Sequence, residues 1–142
     1  MNYELFVLGA HRRFARDVPE MTGIIAAMAS LGMLFPSTPL GIPSGGRAIT
    51  LADYDRHGHP VTEAACQYWR RWKHLLADHA VDQAPGIPGH KLATNDGWHV
   101  TRTECAQALR AYTAAGRHPE VFGRALVPFL RVAARHDGFR VH

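Results

Sequence analysis

Hydrophobic positions along the N-terminal part of the chain predict a strand followed by a helix. Tyr3 to Leu8 is a run of aromatic and branched residues that stops at Gly9, which is typical of a strand buried on most of both faces. Asp17-Val18-Pro19-Glu20 is a helix-capping sequence. Apolar residues then repeat every three or four positions from Met21 to Leu31, so we expect a helix that ends at Gly32.

Three more helical patterns follow. The segment from Thr62 to about Ala80 is amphipathic, with both Trp69 and Trp72 on its predicted inward face. Thr101-Arg102-Thr103-Glu104 is a capping box that opens a helix ending at Gly116. The last helix is predicted from His118 or Pro119 to about His136, and Pro128 should kink or divide it because proline lacks an amide hydrogen.

The remaining strands are predicted around Asp-Gly turns. His90 to Thr94 and Trp98 to Val100 flank Asn95-Asp96-Gly97 and indicate a hairpin, and Phe139 to Val141 is the predicted final strand. Asp96-Gly97-Trp98-His99-Val100 is echoed by Asp137-Gly138-Phe139-Arg140-Val141, which we interpret as the same local chemistry used twice. The three prolines and three glycines from Pro36 to Gly46 predict a loop.

Together these elements predict an α+β fold. We expect a small, mainly antiparallel sheet of the N-terminal strand, the central hairpin and the C-terminal strand, covered by three to four helices, with the first and last strands paired. A chain of 142 residues suits one globular domain spanning residues 1–142. Its two cysteines, Cys66 and Cys105, provide no disulfide framework.

The apolar run from Ile24 to Phe35 is too short to cross a bilayer, which requires about 20 residues. Arg12 and Arg13 resemble part of an export signal, but Asp17 and Glu20 lie between these arginines and the apolar run. The sequence therefore predicts a cytoplasmic protein that does not enter a membrane.

One cluster of polar residues suggests a metal site. In an extended segment, alternate side chains point to the same side, so four ligand types could converge there: Asp53, Asp55, His57 and His59. Mixed carboxylate and imidazole ligands suit a divalent metal such as zinc or manganese, which would activate water for a hydrolase or nuclease. The alternative interpretation is an ordinary polar turn before a helix.

The amphipathic segment 63–80 suggests nucleic-acid binding. Its polar face could contact phosphates through four basic residues while the neighbouring tryptophans stack on bases: Arg70, Arg71, Lys73 and His74. Sixteen basic against twelve acidic side chains give a modest net charge of +4. The alternative is that the basic residues form the ordinary solvated face of a helix whose tryptophans point inward.

The predicted hairpin carries the densest group of polar and titratable residues. We expect a binding surface for a small molecule or a protein at this position, formed by His90, Lys91, Asn95, Asp96, His99 and Arg102. Turn chemistry alone would also explain Asn95 and Asp96. Cys105 is predicted to point inward with Ala108, and a catalytic thiol there has no evident third orienting group.

The block from Gly89 to Thr101, together with Glu104-Cys105 and the closing His136 to His142, resembles a set of small uncharacterised proteins from actinobacteria and their phages. The resemblance covers about the last third of the chain, with a weaker likeness in the opening strand. It implies a bacterial cytoplasmic setting and a core built around the Asn-Asp-Gly-Trp segment and the C-terminal strand. It implies no activity, cofactor or catalytic residue.

These observations favour a non-enzymatic binding protein, such as an accessory or regulatory factor of bacterial or phage origin. The partner would be a protein or a small molecule, no cofactor is expected, and a homo-oligomer is compatible with the sequence. Aromatic and arginine-rich helices are common anchors of interfaces. The two alternatives are the metal-dependent hydrolase or nuclease at Asp53 to His59 and the nucleic-acid-binding helix 63–80.

Overall fold

The computed structural model describes residues 2–39, 46–77 and 86–142. The chain divides into two compact units, of which the first is Met1–Pro39 with His79–His142 and the second is Leu40–Asp78. No helix within the described ranges is long and apolar enough to cross a membrane. The prediction of a single domain stays a prediction.

The first unit is built on a four-stranded antiparallel sheet in the order β2-β1-β6-β5. Its strands are β1 (Asn2–Val7), β2 (Arg13–Asp17), β5 (Trp98–Val100) and β6 (Phe139–Val141). A separate parallel pair joins β3 (Leu34–Phe35) to β4 (Ile87–Pro88). The α+β fold with a small antiparallel sheet is confirmed, and so is the pairing of the first and last strands.

The helices of this unit cover the sheet. They are α1 (Val18–Ser30), the single turn α3 (His90–Ala93), α4 (Arg102–Ala114) and α5 (Leu126–Arg135). The predicted capping boxes open α1 and α4, since Asp17 accepts from the amide of Glu20 and Thr101 accepts from the amide of Glu104. Gly32 follows α1 with a φ of 75°, as its predicted role requires.

Apolar side chains from the sheet, α1, α4 and α5 meet in one core. In the described part of the chain, every member of this buried cluster belongs to the first unit. Its largest fully buried apolar side chains are Leu5, Met21, Ile24, Met28, Met33, Ile87, Leu92, Leu126, Phe129, Leu130 and Phe139.

The predicted hairpin is wrong in its first arm. Residues 90–93 form α3 instead of a strand, and β5 pairs with β6. The partner of β5 is thus the echoed segment itself, with His99 opposite Arg140. Asn95-Asp96-Gly97 therefore does not form a hairpin turn but joins a helix to a strand, with Gly97 at a φ of 90°.

The last predicted helix is divided, but not at Pro128. A 3₁₀ turn at Glu120–Phe122 ends at Gly123, whose φ is 57°, and α5 starts at Leu126. Pro128 therefore lies in the first turn of α5, where an amide hydrogen has no partner inside the helix. The proline initiates this helix and does not kink it.

The second unit contains two 3₁₀ turns, Gly46–Ala48 and Leu51–Asp53, a bridge between Tyr54 and Pro60, and the helix α2 (Glu63–Ala77). The predicted end of this helix near Ala80 lies outside the described residues, as does most of the predicted loop from Pro36 to Gly46. Residues 36–39 of that loop are neither helix nor strand.

Candidate functional site

The structure distributes the six residues of the predicted binding surface among three environments. Lys91 is buried, His90, Asn95 and His99 are half-buried, and Asp96 and Arg102 are exposed. The exposed part of this surface is therefore smaller than predicted, and its buried residues form hydrogen bonds inside the fold.

Lys91 belongs to a buried polar network between α3 and α4. Its ammonium nitrogen Nζ lies 2.8 Å from Oε1 of Glu104 and 2.7 Å from the carbonyl oxygen of His99. Both charged side chains are almost fully buried, at 0% and 3% exposure. The same Glu104 oxygen accepts the amide of Thr101 at 2.8 Å, as a capping-box glutamate does. Lys91 is thus unable to contact a ligand at the surface.

The sequence identifies Glu104 as a capping-box residue but not as the partner of Lys91. Its second oxygen, Oε2, is buried and has no hydrogen-bond partner among the described residues. The capping box explained why a glutamate stands three residues after Thr101, but no local pattern relates it to a lysine thirteen residues earlier. The burial of Lys91, which makes a carboxylate partner necessary, is not visible in the sequence.

His90 is held by Ser37 and Trp98. The hydroxyl oxygen of Ser37 lies 2.7 Å from Nδ1 of His90 and accepts the backbone amide of the same residue at 3.1 Å. The edge of the Trp98 ring contacts the imidazole, with centroids 4.9 Å apart. Burial lowers the pKa of His90, and the nearby positive charge of Lys91 lowers it further. A neutral imidazole then accepts the Ser37 hydroxyl hydrogen at Nδ1.

Ser37 and His90 are the residue types of a catalytic nucleophile and its base, but their contacts hold the 36–39 segment against α3. Ser37 accepts the amide that opens α3, so its oxygen is committed to holding the 36–39 segment against this helix. The carboxylate whose charge acts on His90, Glu104, is engaged by Lys91 and Thr101. Nothing in these contacts orients the imidazole for catalysis.

His99 and Arg140 form a matched pair across β5 and β6. His99 Nε2 donates to the carbonyl oxygen of Asp137 at 2.8 Å, and Arg140 donates to the carbonyl oxygen of Gly97 at 3.1 Å. Each basic side chain thus bonds the Asp-Gly turn that begins the neighbouring strand. The echo in the sequence corresponds to two adjacent antiparallel strands with reciprocal contacts, and the role of His99 is to hold them together.

Asn95 and Asp96 line a pocket of about 260 Å³ that we call the turn pocket. The other lining residues come from β1, the start of α1 and the end of α3: Tyr3, Val18, Ala93 and Thr94. The Tyr3 hydroxyl donates to the carbonyl oxygen of Ala93 at 3.1 Å, which fixes one wall. Burial raises the pKa of Tyr3, and the Asp96 carboxylate raises it further.

Of the predicted surface, the turn pocket keeps only Asn95 and Asp96. Arg102 is exposed at the first residue of α4 and is not among the lining residues. Tyr3 and Val18 were missed because the β1 pattern indicates only a strand and Val18 only the start of a helix. Their meeting with the 93–96 segment depends on which strands pair, and turn chemistry does not specify that.

The four residues of the predicted metal site do not converge. Segment 55–59 is a turn and not an extended strand, because one Asp55 oxygen accepts the amides of both His57 and His59 at 2.8 and 2.9 Å. These bonds, with that from His59 contributing most, lower the pKa of Asp55. Among the described residues, no group of three or more histidine, cysteine or acidic side chains is placed to hold a metal ion.

Asp53 has a separate structural task. Its carboxylate accepts the Thr50 amide at 2.7 Å and the Thr62 hydroxyl at 2.6 Å, and these bonds lower its pKa. It therefore connects a 3₁₀ turn to the residue preceding α2. The geometry of these residues gives the metal-dependent hydrolase or nuclease no support.

The basic residues of α2 are all exposed, as predicted, but Trp69 is not inward. This ring is 40% exposed, and its indole nitrogen donates to the Tyr54 hydroxyl at 2.7 Å. The edge of the Tyr68 ring also contacts it. Arg70 and Lys73 lie about 100° and about 40° from Trp69 around the helix axis, whereas His74 and Arg71 lie farther round, at about 140° and about 160°. An exposed, well-anchored ring beside basic residues is a distinct surface of the second unit.

Comparisons with known proteins add no relative: no family model, no curated protein and no solved structure matches this chain.

Proposed function

We propose that this protein is a non-enzymatic binding protein, acting as an accessory or regulatory factor, and that the turn pocket receives a basic side chain of a protein partner. The observation that carries the proposal is the carboxylate of Asp96 at the edge of a pocket with apolar walls. Within the described residues this carboxylate has no hydrogen bond or ion pair, and its charge reaches the Tyr3 hydroxyl.

The size and the chemistry of the pocket select the ligand. Its volume of about 260 Å³ lies below the roughly 300 to 1,000 Å³ typical of sites for whole small molecules or cofactors. A single long side chain fits better. Lysine combines an apolar stem, suited to Val18 and Ala93, with an ammonium group suited to Asp96.

Other reactive side chains have environments that oppose catalysis. Burial raises the pKa of the Cys105 thiol far above its ordinary range, and the Glu104 carboxylate adds to the effect. A thiol that stays protonated is a poor nucleophile. Lys91 is paired inside the core, and Ser37 anchors α3. These contacts support a binding role.

The test is a titration with Nα-acetyl-lysine amide followed by NMR chemical shifts, with Asp96→Asn as the variant. Asp137→Asn is the matched control, because Asp137 precedes the second Asp-Gly turn and is also exposed. We expect shifts at Tyr3 and residues 93–96 in the wild type and the control, and at least about fivefold weaker binding in Asp96→Asn. Equal shifts in Asp96→Asn, or with the uncharged norleucine amide, would refute the proposal.

A second candidate is single-stranded nucleic-acid binding by α2, favoured by the exposure of Trp69. Stacking of a base on an exposed aromatic ring contributes about 1 to 3 kcal/mol, and neighbouring cations neutralise phosphates. The hydrogen bond to Tyr54 holds the indole in one orientation, which lowers the entropy lost on stacking. Arg70 and Lys73 are exposed within one turn of this ring.

Fluorescence anisotropy of a labelled oligo-dT at low salt tests this candidate. We expect Trp69→Ala and the double variant Arg70→Gln/Lys73→Gln to weaken binding about tenfold or more. Arg131→Gln/Arg135→Gln removes the same charge from α5 of the first unit and is the control. Equal losses in both double variants would indicate a general charge effect and exclude a site on α2.

A further inference from the structure

A second and larger concavity lies between α4 and α5 in the first unit. This groove has a volume of about 460 Å³, and it is shallow and largely open to solvent. Five of its lining residues belong to α4 and one to α5: Ala106, Leu109, Arg110, Thr113, Ala114 and Ala134. We call it the α4–α5 groove. It shares no lining residue with the turn pocket.

The floor of the groove is apolar and consists mostly of short side chains. Three alanines leave the two helix backbones close to the surface, and Leu109 is only half-buried although it packs against the core. Short side chains permit another helix to approach closely, and Leu109 offers an apolar contact to it. A phosphate backbone would gain nothing from such a floor.

Arginines surround this floor. Arg110 lines the groove, Arg102 is one turn before Ala106 on α4, and Arg131 is one turn before Ala134 on α5. All three are exposed, and none forms an ion pair with a carboxylate in the part of the chain that the structure describes.

The wider surface has the same charge. Exposed arginines of residues 102–136 are Arg102, Arg110, Arg117, Arg124, Arg131 and Arg135. Over the same residues the carboxylates are Glu104, which is buried against Lys91, and Glu120, and the exposed Asp137 follows directly. Exposed arginines therefore outnumber exposed acids in this part of the chain, and a negatively charged partner would be attracted to the three arginines at the groove.

We infer that the α4–α5 groove docks an acidic amphipathic helix of a partner protein. The apolar stripe of that helix lies on the alanine floor against Leu109, and its glutamates or aspartates pair with Arg102, Arg110 and Arg131. This arrangement uses both features of the groove, whereas a nucleic acid uses only the charge. Guanidinium groups suit the pairing because each binds a carboxylate through two parallel hydrogen bonds.

The experiment measures anisotropy of a labelled synthetic helix of about 16 residues, with leucine at positions i, i+4, i+7 and i+11 and glutamate beside them. The comparison peptide has the same composition in scrambled order. Ala114→Trp fills the exposed end of the groove, and Arg110→Glu reverses one charge at its edge. Ala26→Trp on α1 and Arg124→Glu are the matched controls, since both positions are exposed and neither lines the groove.

We expect saturable binding to the wild type that falls about tenfold or more in Ala114→Trp and Arg110→Glu and stays within about twofold in the controls. The scrambled peptide should bind at least about tenfold more weakly. Absence of binding, equal binding of the scrambled peptide, or full binding by Ala114→Trp would each overturn the inference. The inference would also be overturned if oligo-dT or anionic vesicles bound more tightly than the peptide and Ala114→Trp abolished that binding. Because the turn pocket is a separate site, these outcomes leave the proposed function to its own test.

Discussion

The ion pair between Lys91 and Glu104 is a residue-scale feature with a large energetic consequence. Taking two charges out of water is costly, and the cost is recovered only by close geometry and additional hydrogen bonds. Here one Glu104 oxygen accepts from both Lys91 and Thr101, and Lys91 also donates to His99. The network joins α3, β5 and the first turn of α4, which are the elements that surround the 93–97 turn.

Removing the carboxylate charge should therefore destabilise the fold strongly. We expect Glu104→Gln to lower the free energy of unfolding by about 3 kcal/mol, because the Lys91 ammonium keeps its burial and loses its counter-charge. The double variant Lys91→Met/Glu104→Gln should recover most of this loss. Urea unfolding of the wild type, the single variant and the double variant measures the loss and its recovery. A loss below about 1 kcal/mol in the single variant would contradict the importance of this pair.

His90 should make stability fall as the solution becomes acidic. Its pKa in the folded protein is lowered from the ordinary value of 6.5, so between these two values the unfolded chain binds more protons. The stability contributed by the neutral imidazole is complete above pH 6.5 and decreases as the pH falls toward the folded pKa.

Urea midpoints measured at steps from pH 7.5 to 5 test this expectation. The decrease in the urea midpoint should be smaller in His90→Gln than in the wild type. Above pH 7.5, residue 90 should contribute nothing to the pH dependence of either protein. Identical slopes for the two proteins would show that burial of His90 has no thermodynamic consequence.

At the scale of the element, the two Asp-Gly segments show what could and could not be read from the sequence. Strand β6 and the positive φ of Gly97 before β5 are predicted correctly because Asp-Gly followed by an aromatic residue is a local signal. That β5 and β6 pair with each other is a non-local fact. The first arm of the predicted hairpin is wrong because residues 90–93 form a helical turn in which the neighbouring Lys91 and Leu92 are both buried. A strand would place these two side chains on opposite faces.

Strand β2 was missed because only Phe14 in it is deeply buried, at 3% exposure. An edge strand whose other side chains are polar has no hydrophobic period to detect. The candidate site, too, could be predicted from the sequence only in part. Asn95 and Asp96 were identified from their turn, whereas Tyr3 and Val18 reach the turn pocket only through tertiary packing.

The pairing of β5 with β6 requires that residue 138, Gly138, has no side chain. A Cβ there would overlap the carbonyl oxygen of Val100, and the residue also has a φ of 71°. We expect Gly138→Ala to cost at least about 3 kcal/mol from the left-handed backbone and the overlap together. Gly116→Ala, with a φ of 69° and open space around it, should cost only about 1 kcal/mol.

Thermal and urea unfolding of both variants check the difference. Similar losses of unfolding free energy in the two variants would mean that β5 and the 136–138 turn can separate at little cost. The reciprocal contacts of His99 and Arg140 would then not be what pairs β5 with β6.

At the scale of the whole molecule, the sheet is assembled from the two ends of the chain. Strand β6 lies between β1 and β5, so the N-terminal and C-terminal segments must meet before the core closes. Long-range pairing of this kind favours slow folding. The second unit is inserted between β3 and β4, and the described core cluster contains none of its residues.

The first unit should therefore fold without the second. Leu34 pairs with Ile87 in parallel register, so a linker that replaces residues 40–85 has only to complete a crossover between neighbouring strands. About eight glycine and serine residues, added to residues 36–39 and Gly86, reach the dozen that such a connection needs. Shortening the connection costs little, because loop-closure entropy depends only weakly on length.

Circular dichroism, urea unfolding and amide NMR spectra of this shortened protein provide the measurement. We expect cooperative unfolding, with chemical shifts of β1, β5 and β6 preserved. It should also bind Nα-acetyl-lysine amide and the acidic helix as the whole chain does, while losing any affinity for oligo-dT, because α2 is gone. An unfolded product would show that the core of the first unit requires the second. Retained oligo-dT binding by a folded product would instead move the nucleic-acid surface from Trp69 to the arginines of α4 and α5.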